Sequence, residues 1–394
     1  YIRQLTYRTA RECWQQLAVS QPQMTAGRQA MARPRIAVYT MAKNEAAHVA
    51  RFVETTRDAD VVVVTDTGST DGTPDLLRDA GVTVHTSQII PWRFDTATNC
   101  ALCHVPADID ICVKLDLDEV IYSCDGSPWR HELENLWAGG KLSQIHYWYT
   151  WSWHVPGKIP AVRFRTANVH ARSGCIWRHP GHAGLYNNDT GSIAHAQNFE
   201  IHHYMVNKGR PNYMPLLQLA VKENRCPRTL FYLGRECSFR KMHVECINTL
   251  KEYLEHPEAK WKAERSNAMR HIAVSYELLG DKNAALSWLM QAHCEYPNVR
   301  DLWWELLRFF HNQGDFQGGY WAGLKCLAIT ERDNQWTAHT AQAWLDEPFV
   351  LMAKCAWHIH GRSEPVVQYL AKALELNPQS TAAREFAMTI GVSL

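Results

Sequence analysis

Three acids close together, Asp116, Asp118 and Glu119, follow a run in which Ile111, Val113 and Leu115 alternate with Cys112 and Lys114. A short apolar run ending in carboxylates reads as a buried strand that delivers acids to the carboxyl edge of a sheet, where open α/β sheets bind ligands. Two carboxylates one residue apart on such an edge can share a hard divalent cation, directly and through water, while that ion holds a diphosphate. The competing reading of an isolated Asp-x-Asp is a solvated acidic turn. The surrounding elements decide between them.

The preceding residues supply such elements. Ile36 and Val38 read as a strand, Lys43-Asn44-Glu45 as a loop and Ala46 to Thr56 as a helix. A second unit follows: Val61 to Val64 as a buried strand with Asp66 at its carboxyl end, Gly68 to Gly72 as a turn, and Thr70 or Asp71 capping the next helix. VTVHTS is a third strand, and PWRFDTATNCALCHV a loop leading into a helix. Strands alternating with helices at this spacing predict a parallel, doubly wound sheet, with Asp66, Asp116 and Asp118 on one edge. A carboxylate ending an early strand suits the base or ribose of a nucleotide. The chain has neither GxGxxG nor GxxxxGK[ST], which argues against the dinucleotide and P-loop modes.

In this order and spacing, AKNEA, VVTDTGSTDGT, FDTATN and KLDLDEV resemble the GT-A fold of family 2-like glycosyltransferases, over roughly residues 34–230. The resemblance implies a nucleotide-diphosphate sugar donor, most simply a UDP-sugar, and Mn²⁺ or Mg²⁺ at the Asp-x-Asp. Carried across, Asn44, Glu45 and Asp66 would hold the nucleoside, Asp95 and Asn99 would line the donor pocket, Asp116 would face ribose or sugar hydroxyls, and Asp118 would bind the metal. By register with the family's I-x-H-Y, His203 would be a further metal ligand, with His202 as runner-up; imidazole is acceptable to Mn²⁺. Lys208 and Arg210 could neutralise the diphosphate leaving group, with a surface-charge role as the competitor. Two departures stand out. Thr98 occupies the place of the arginine in FDxARN, so its contact is expected elsewhere, for example at Arg93. Ala183 stands where related sequences carry the glutamate expected as general base. His182 beside it could serve instead, as could His179, Asp189 or Glu200, and a packing role for His182 is an equal alternative.

Residues 145–155 alternate strictly, with Ile145, Tyr147, Tyr149, Trp151, Trp153 and Val155 on one face. Most of these aromatics are expected in the core; an exposed one near the site would be a stacking platform. From about residue 229 a repeat emerges: Ala273, Tyr276, Gly280, Ala285, Leu289, Ala292 and Pro297 fit the tetratricopeptide (TPR) template. Trp357, Gly361, Leu370, Ala373 and Pro378 repeat part of it, Gly314 marks a degenerate middle unit, and an insertion is expected around 332–346. The expected organisation is a helical lead-in over 1–33, a GT-A domain over 34–228 and a TPR-like solenoid of about four hairpins over 229–394.

Bulk properties narrow the rest. Of 394 residues, 46% are hydrophobic and 21% charged, ordinary values for a globular protein, and no run of about 18 apolar residues suggests a membrane span. The cysteines are scattered singly, so reduced thiols and a cytoplasmic protein (host cytoplasm if viral) are expected. Residues 151–250 hold thirteen Lys and Arg against five Asp and Glu, a local balance of +8 in a chain of net +1. That points to a polyanion, either the nucleotide or DNA. The leading expectation is a metal-dependent glycosyltransferase acting on a macromolecule, with a hydroxymethylated pyrimidine of phage-type DNA first and peptide or cell-envelope saccharide close behind. The solenoid could bind peptides, mediate self-association or buttress the catalytic domain. The contrary class is a non-catalytic TPR scaffold carrying a degenerate transferase domain.

Overall fold

The computed structural model describes residues 3–5, 33–138, 142–155, 157, 159–188, 191–204, 212–333, 335–336 and 339–392. Two compact units divide the chain: Tyr1–Ser152 with Arg165–Asn224, and Trp153–Phe164 with Arg225–Leu394.

The first unit is built on strands β1 (Arg3–Leu5), β2 (Ile36–Ala42), β3 (Val61–Asp66), β4 (Thr83–Ile89), β5 (Ile111–Lys114), β6 (Glu119–Ser123), β7 (Leu142–Val155), β8 (Ile159–Ala171) and β11 (Ser192–His203), in sheet order β1-β4-β3-β2-β5-β8-β7-β11-β6, the stretch Trp153–Phe164 of β7 and β8 counting with the second unit. Strands β9 (Cys175–Arg178) and β10 (Gly184–Asn187) form a separate antiparallel pair. Strands β1 to β5 are parallel to their sheet neighbours among themselves. Beyond β5 the sheet is mixed: β8 runs antiparallel to β5, and β11 runs parallel to β7 but antiparallel to β6. The expectation of a parallel sheet thus holds for its first part only. Of the expected helical lead-in, Arg3–Leu5 instead form a strand beside β4, and residues 6–32 lie outside the described residues.

From β2 the chain winds outward to β3 and β4 and then returns to place β5 on the other side of β2. The crevice between the carboxyl ends of β2 and β5 is therefore the switch point at which doubly wound sheets bind ligands. Full burial explains why these strands are apolar throughout: Ile36, Ala37, Val38, Tyr39, Ile111, Cys112 and Val113 are all 0% exposed. Three polar side chains in this core pair with one another. The Trp177 indole donates to the Tyr39 hydroxyl at 2.7 Å, which meets His170 Nε2 at 2.8 Å. Burial drives His170 down to about 4, so it stays neutral.

The second unit is a helical solenoid with the paired-helix packing of TPR repeats. Its hairpins are α6 (Pro227–Phe239) with α7 (His243–Glu255), α8 (Lys262–Leu278) with α9 (Lys282–Glu295), α10 (Arg300–Asn312) with α11 (Phe316–Ala328), and α13 (Glu347–His360) with α14 (Glu364–Leu376); α15 (Thr381–Thr389) follows. Gly280, Gly314 and Gly361 turn three of the hairpins with φ of +89°, +77° and +66°. Lys241 holds φ +62° at the same place in the first hairpin, where the repeat signature is weakest. The insertion around 332–346 packs inward: Trp336 is 0% exposed, and Arg300 Nε donates to the Ala343 carbonyl at 2.7 Å.

Candidate active site

The site forms where β5 ends. Residues 115–118 turn the chain into β6, and each of the three neighbouring acids takes a different partner. Asp116 is reached by the Lys114 ammonium on one oxygen and by the Thr40 hydroxyl on the other, at 3.2 Å. Its side chain remains 40% exposed at the β2–β5 crevice. Burial works against the Lys114 charge, but the Asp116 and Glu119 carboxylates raise its pKa above the ordinary lysine value. Glu119 points inward, accepting from the Tyr149 hydroxyl at 2.6 Å and from the Asp116 backbone N–H at 2.7 Å. Burial, reinforced by the Asp116 charge, pushes its carboxyl up. Glu119 thus shapes the turn from inside.

Asp118 meets His203, with Oδ2 and Nε2 3.1 Å apart. The β6–β11 register brings them together by pairing His203 with Glu119 and His202 with Val120, and the Tyr204 N–H closes onto the Asp118 carbonyl at 2.9 Å. His202 therefore faces the other side of the sheet, bonded to Glu200 at 3.0 Å and stacked on Tyr122. The other nitrogen of His203, Nδ1, lies 3.0 Å from the Trp151 carbonyl. A carbonyl only accepts, so Nδ1 carries a proton and Nε2 of the neutral ring would aim a lone pair at a carboxylate. That contact needs a cation: either a second proton on the ring or an ion held by both groups. Without an ion the proton is favoured. Burial opposes the His203 charge, but Asp118 raises its pKa overall, and His203 in turn offsets burial to hold the Asp118 carboxyl low. The alternative is also well fitted, because two ligands each about 2.1 Å from one ion at right angles stand about 3 Å apart. An imidazole anchored by Nδ1–H to a carbonyl is the usual arrangement of a metal-binding histidine. Among the described residues, no group of three or more His, Cys, Asp or Glu side chains converges on one ion position.

Asn44 and Glu45 follow β2. Asn44, at φ +57°, accepts from the Thr70 N–H at 2.8 Å and donates its own N–H to the Ser69 hydroxyl, while the Glu45 N–H donates to the Thr73 hydroxyl. Asp66 is buried at the end of β3 and accepts from the Gly68 and Ser69 N–H groups. All three lie at the carboxyl edge; Asn44 and Glu45 tie the first two loops together, and Asp66 braces the second from within.

Asp95 and Asn99 lie on α3 (Phe94–Cys103), and their hydrogen bonds serve the interior rather than the pocket lining expected of them. Arg93 Nε and Nη2 donate to Asp95, and Nη1 and Nη2 to Glu223, at 2.6–3.0 Å. The Asn99 amide both donates to and accepts from the Trp177 backbone, at 2.8 and 2.9 Å. Arg93, clamped between two carboxylates, does not supply the charge missing at Thr98, whose hydroxyl bonds back to the Phe94 carbonyl. His182 sits at φ +50° with its ring against Tyr213, centroids 5.3 Å apart. Lys208 and Arg210 lie outside the described residues.

Two residues that sequence reading passed over complete the surroundings, His48 and Arg51. Arg51 lies on α1 (Val49–Thr56) and His48 immediately before it, three residues apart and so on one face. That spacing, directly after Lys43-Asn44-Glu45, was the available signal.

No protein-family model matches the chain, and no curated protein does. Solved structures it resembles include YrrB, titled a TPR protein with an unusual peptide-binding site (13% identity, 44% of this chain and 81% of that one, TM-score 0.34). Others are PilF of Pseudomonas aeruginosa (14%, 44% and 72%, 0.36) and the type IV pilus biogenesis factor PilW (14%, 44% and 72%, 0.37). The TPR-like assignment stands on the helix pairing and hairpin turns described above.

Proposed function

We propose that the α/β unit is a GT-A-type, metal-dependent glycosyltransferase that uses a nucleotide-diphosphate sugar, most simply a UDP-sugar. The observation that carries this reading is the Asp118–His203 pair, a carboxylate oxygen and an imidazole nitrogen 3.1 Å apart at the turn that follows β5. Asp118 and His203 would hold Mn²⁺ or Mg²⁺, the imidazole favouring Mn²⁺. The ion, when bound, neutralises the charge that builds on the departing diphosphate. Asp116, fixed by Lys114 and Thr40 but still open to solvent, accepts from ribose or sugar hydroxyls. His182 is the proposed base for the acceptor. The acceptor is proposed as a macromolecule, with phage-type DNA, peptide and envelope saccharide as the arms to compare by mass spectrometry.

Wild-type protein with Mn²⁺ should slowly hydrolyse a UDP-sugar, and Asp118→Ala or chelation should reduce the rate by at least about 100-fold. A rate indifferent to both changes supports the second reading, a non-catalytic TPR scaffold. The observation behind that reading is the lack of a three-ligand cluster among the described residues.

A further inference from the structure

We propose that Arg51 is the diphosphate-binding cation of this site, in the role left open by Thr98; the inference rests on the glycosyltransferase reading above. The Arg51 guanidinium stands beside the Asp118 turn. Its Nη2 lies 3.5 Å from the Asp118 carbonyl and 3.1 Å from His48 Nδ1, and its Cζ lies 5.0 Å from the centre of the Tyr204 ring. A guanidinium only donates, so His48 Nδ1 accepts and a neutral His48 carries its proton on Nε2, 3.7 Å from Glu45. Arg51 Nε is shielded from solvent without an acceptor.

Arg51 is therefore held by an imidazole nitrogen, a carbonyl and an aromatic face, none of them an anion. Among the described residues it makes no ion pair, whereas buried Arg93 has Asp95 and Glu223, and Arg130 has Asp60 and Glu134. A partly desolvated guanidinium without a carboxylate is unfavourable unless an anion completes it. The matching anion is the one that an ion on Asp118 and His203 would also hold, the pyrophosphate of a nucleoside diphosphate. Planar, forked donors suit phosphate oxygens, and the fixed charge would meet the negative charge that develops as the sugar–phosphate bond breaks.

The test compares full-length wild type, Arg51→Met and Arg51→Lys in Mn²⁺, with UDP binding measured by calorimetry, uridine binding by ligand-observed NMR, and folding by thermal melting. Arg51→Met should weaken UDP about 10- to 100-fold and leave uridine unchanged, with Arg51→Lys in between. Unchanged UDP affinity in Arg51→Met overturns the inference alone. Equal losses for UDP and uridine also overturn it, marking Arg51 as a structural peg of the Asp118 turn. Wild-type protein that binds neither UDP nor GDP, with or without Mn²⁺, overturns the glycosyltransferase reading itself.

Discussion

His203 illustrates how one side chain is set by two contacts of different kinds. The Trp151 carbonyl fixes its tautomer, and the Trp151 indole, 44% exposed, stacks on its ring at 4.6 Å. What Nε2 meets is then either a proton or a metal, and pH separates the two. In metal-free protein, Asp118 is depressed, so its contribution to stability is present above the ordinary aspartate value near 3.9 and lost as pH falls through the folded value. His203 is raised, so its contribution is present below about 6.5 and lost as pH rises through the folded value. The pair should therefore stabilise the chain most between about pH 4 and 6.5. Urea midpoints in EDTA should drop from pH 6 to pH 8.5 in wild type, and that difference should shrink in His203→Gln, which keeps a polar group but no charge. Identical pH profiles would show that the ring is not charged beside Asp118. Metal binding must displace the same proton, so Mn²⁺ affinity should rise with pH over this range.

At the scale of elements, register does the positioning. A one-residue slip of β11 against β6 would turn His203 away from Asp118 and bring in His202, so the contact depends on the strand pairing as much as on residue type. In the solenoid the equivalent constraint is close helix approach. A Cβ on Gly234 of α6 would lie 2.5 Å from Cγ and Cδ2 of Leu250 on α7, a residue that is 0% exposed. Gly234→Ala should gain about 1 kcal/mol of helix propensity but lose about 1–3 kcal/mol to overpacking. The expected result is a net loss, read as a lower denaturation midpoint; a gain would mean that the hairpin repacks freely.

Over the whole molecule, four of the thirteen cations behind the +8 balance of residues 151–250 are matched by groups within the chain. Arg165 donates to the Ala196 carbonyl, Arg172 to the Val105 carbonyl, Arg225 pairs with Glu252 and Arg240 with Glu236. These residues fall in both compact units. A charge already met by a carbonyl or carboxylate of the chain is less open to a polyanion. If hydroxymethylated DNA is nevertheless the acceptor, log affinity should fall linearly with log salt, with a slope of about −0.9 per phosphate neutralised. A flat salt response in a binding titration would remove DNA and leave peptide or saccharide. No helix among the described residues is long and apolar enough to cross a membrane.

The sequence by itself determined whatever depends on local periodicity. Alternating strands and helices, the acids ending β5 and the glycine-turned helical hairpins were all legible, because burial and backbone conformation act over a few residues. Tertiary structure alone decided which polar group meets which. Arg93 read as a candidate phosphate ligand, but its charge is matched by Asp95 and by Glu223, 130 residues away. Glu119 stood beside Asp118 with a structural and a catalytic role equally open, and it turned inward to Tyr149. Arg51 lay unremarked in the helix expected over Ala46 to Thr56 and stands beside the Asp118 turn, with no carboxylate partner among the described residues. Hydrogen bonds and charges act across a few ångströms whatever the sequence separation, so composition and spacing name the candidates and strand register selects among them.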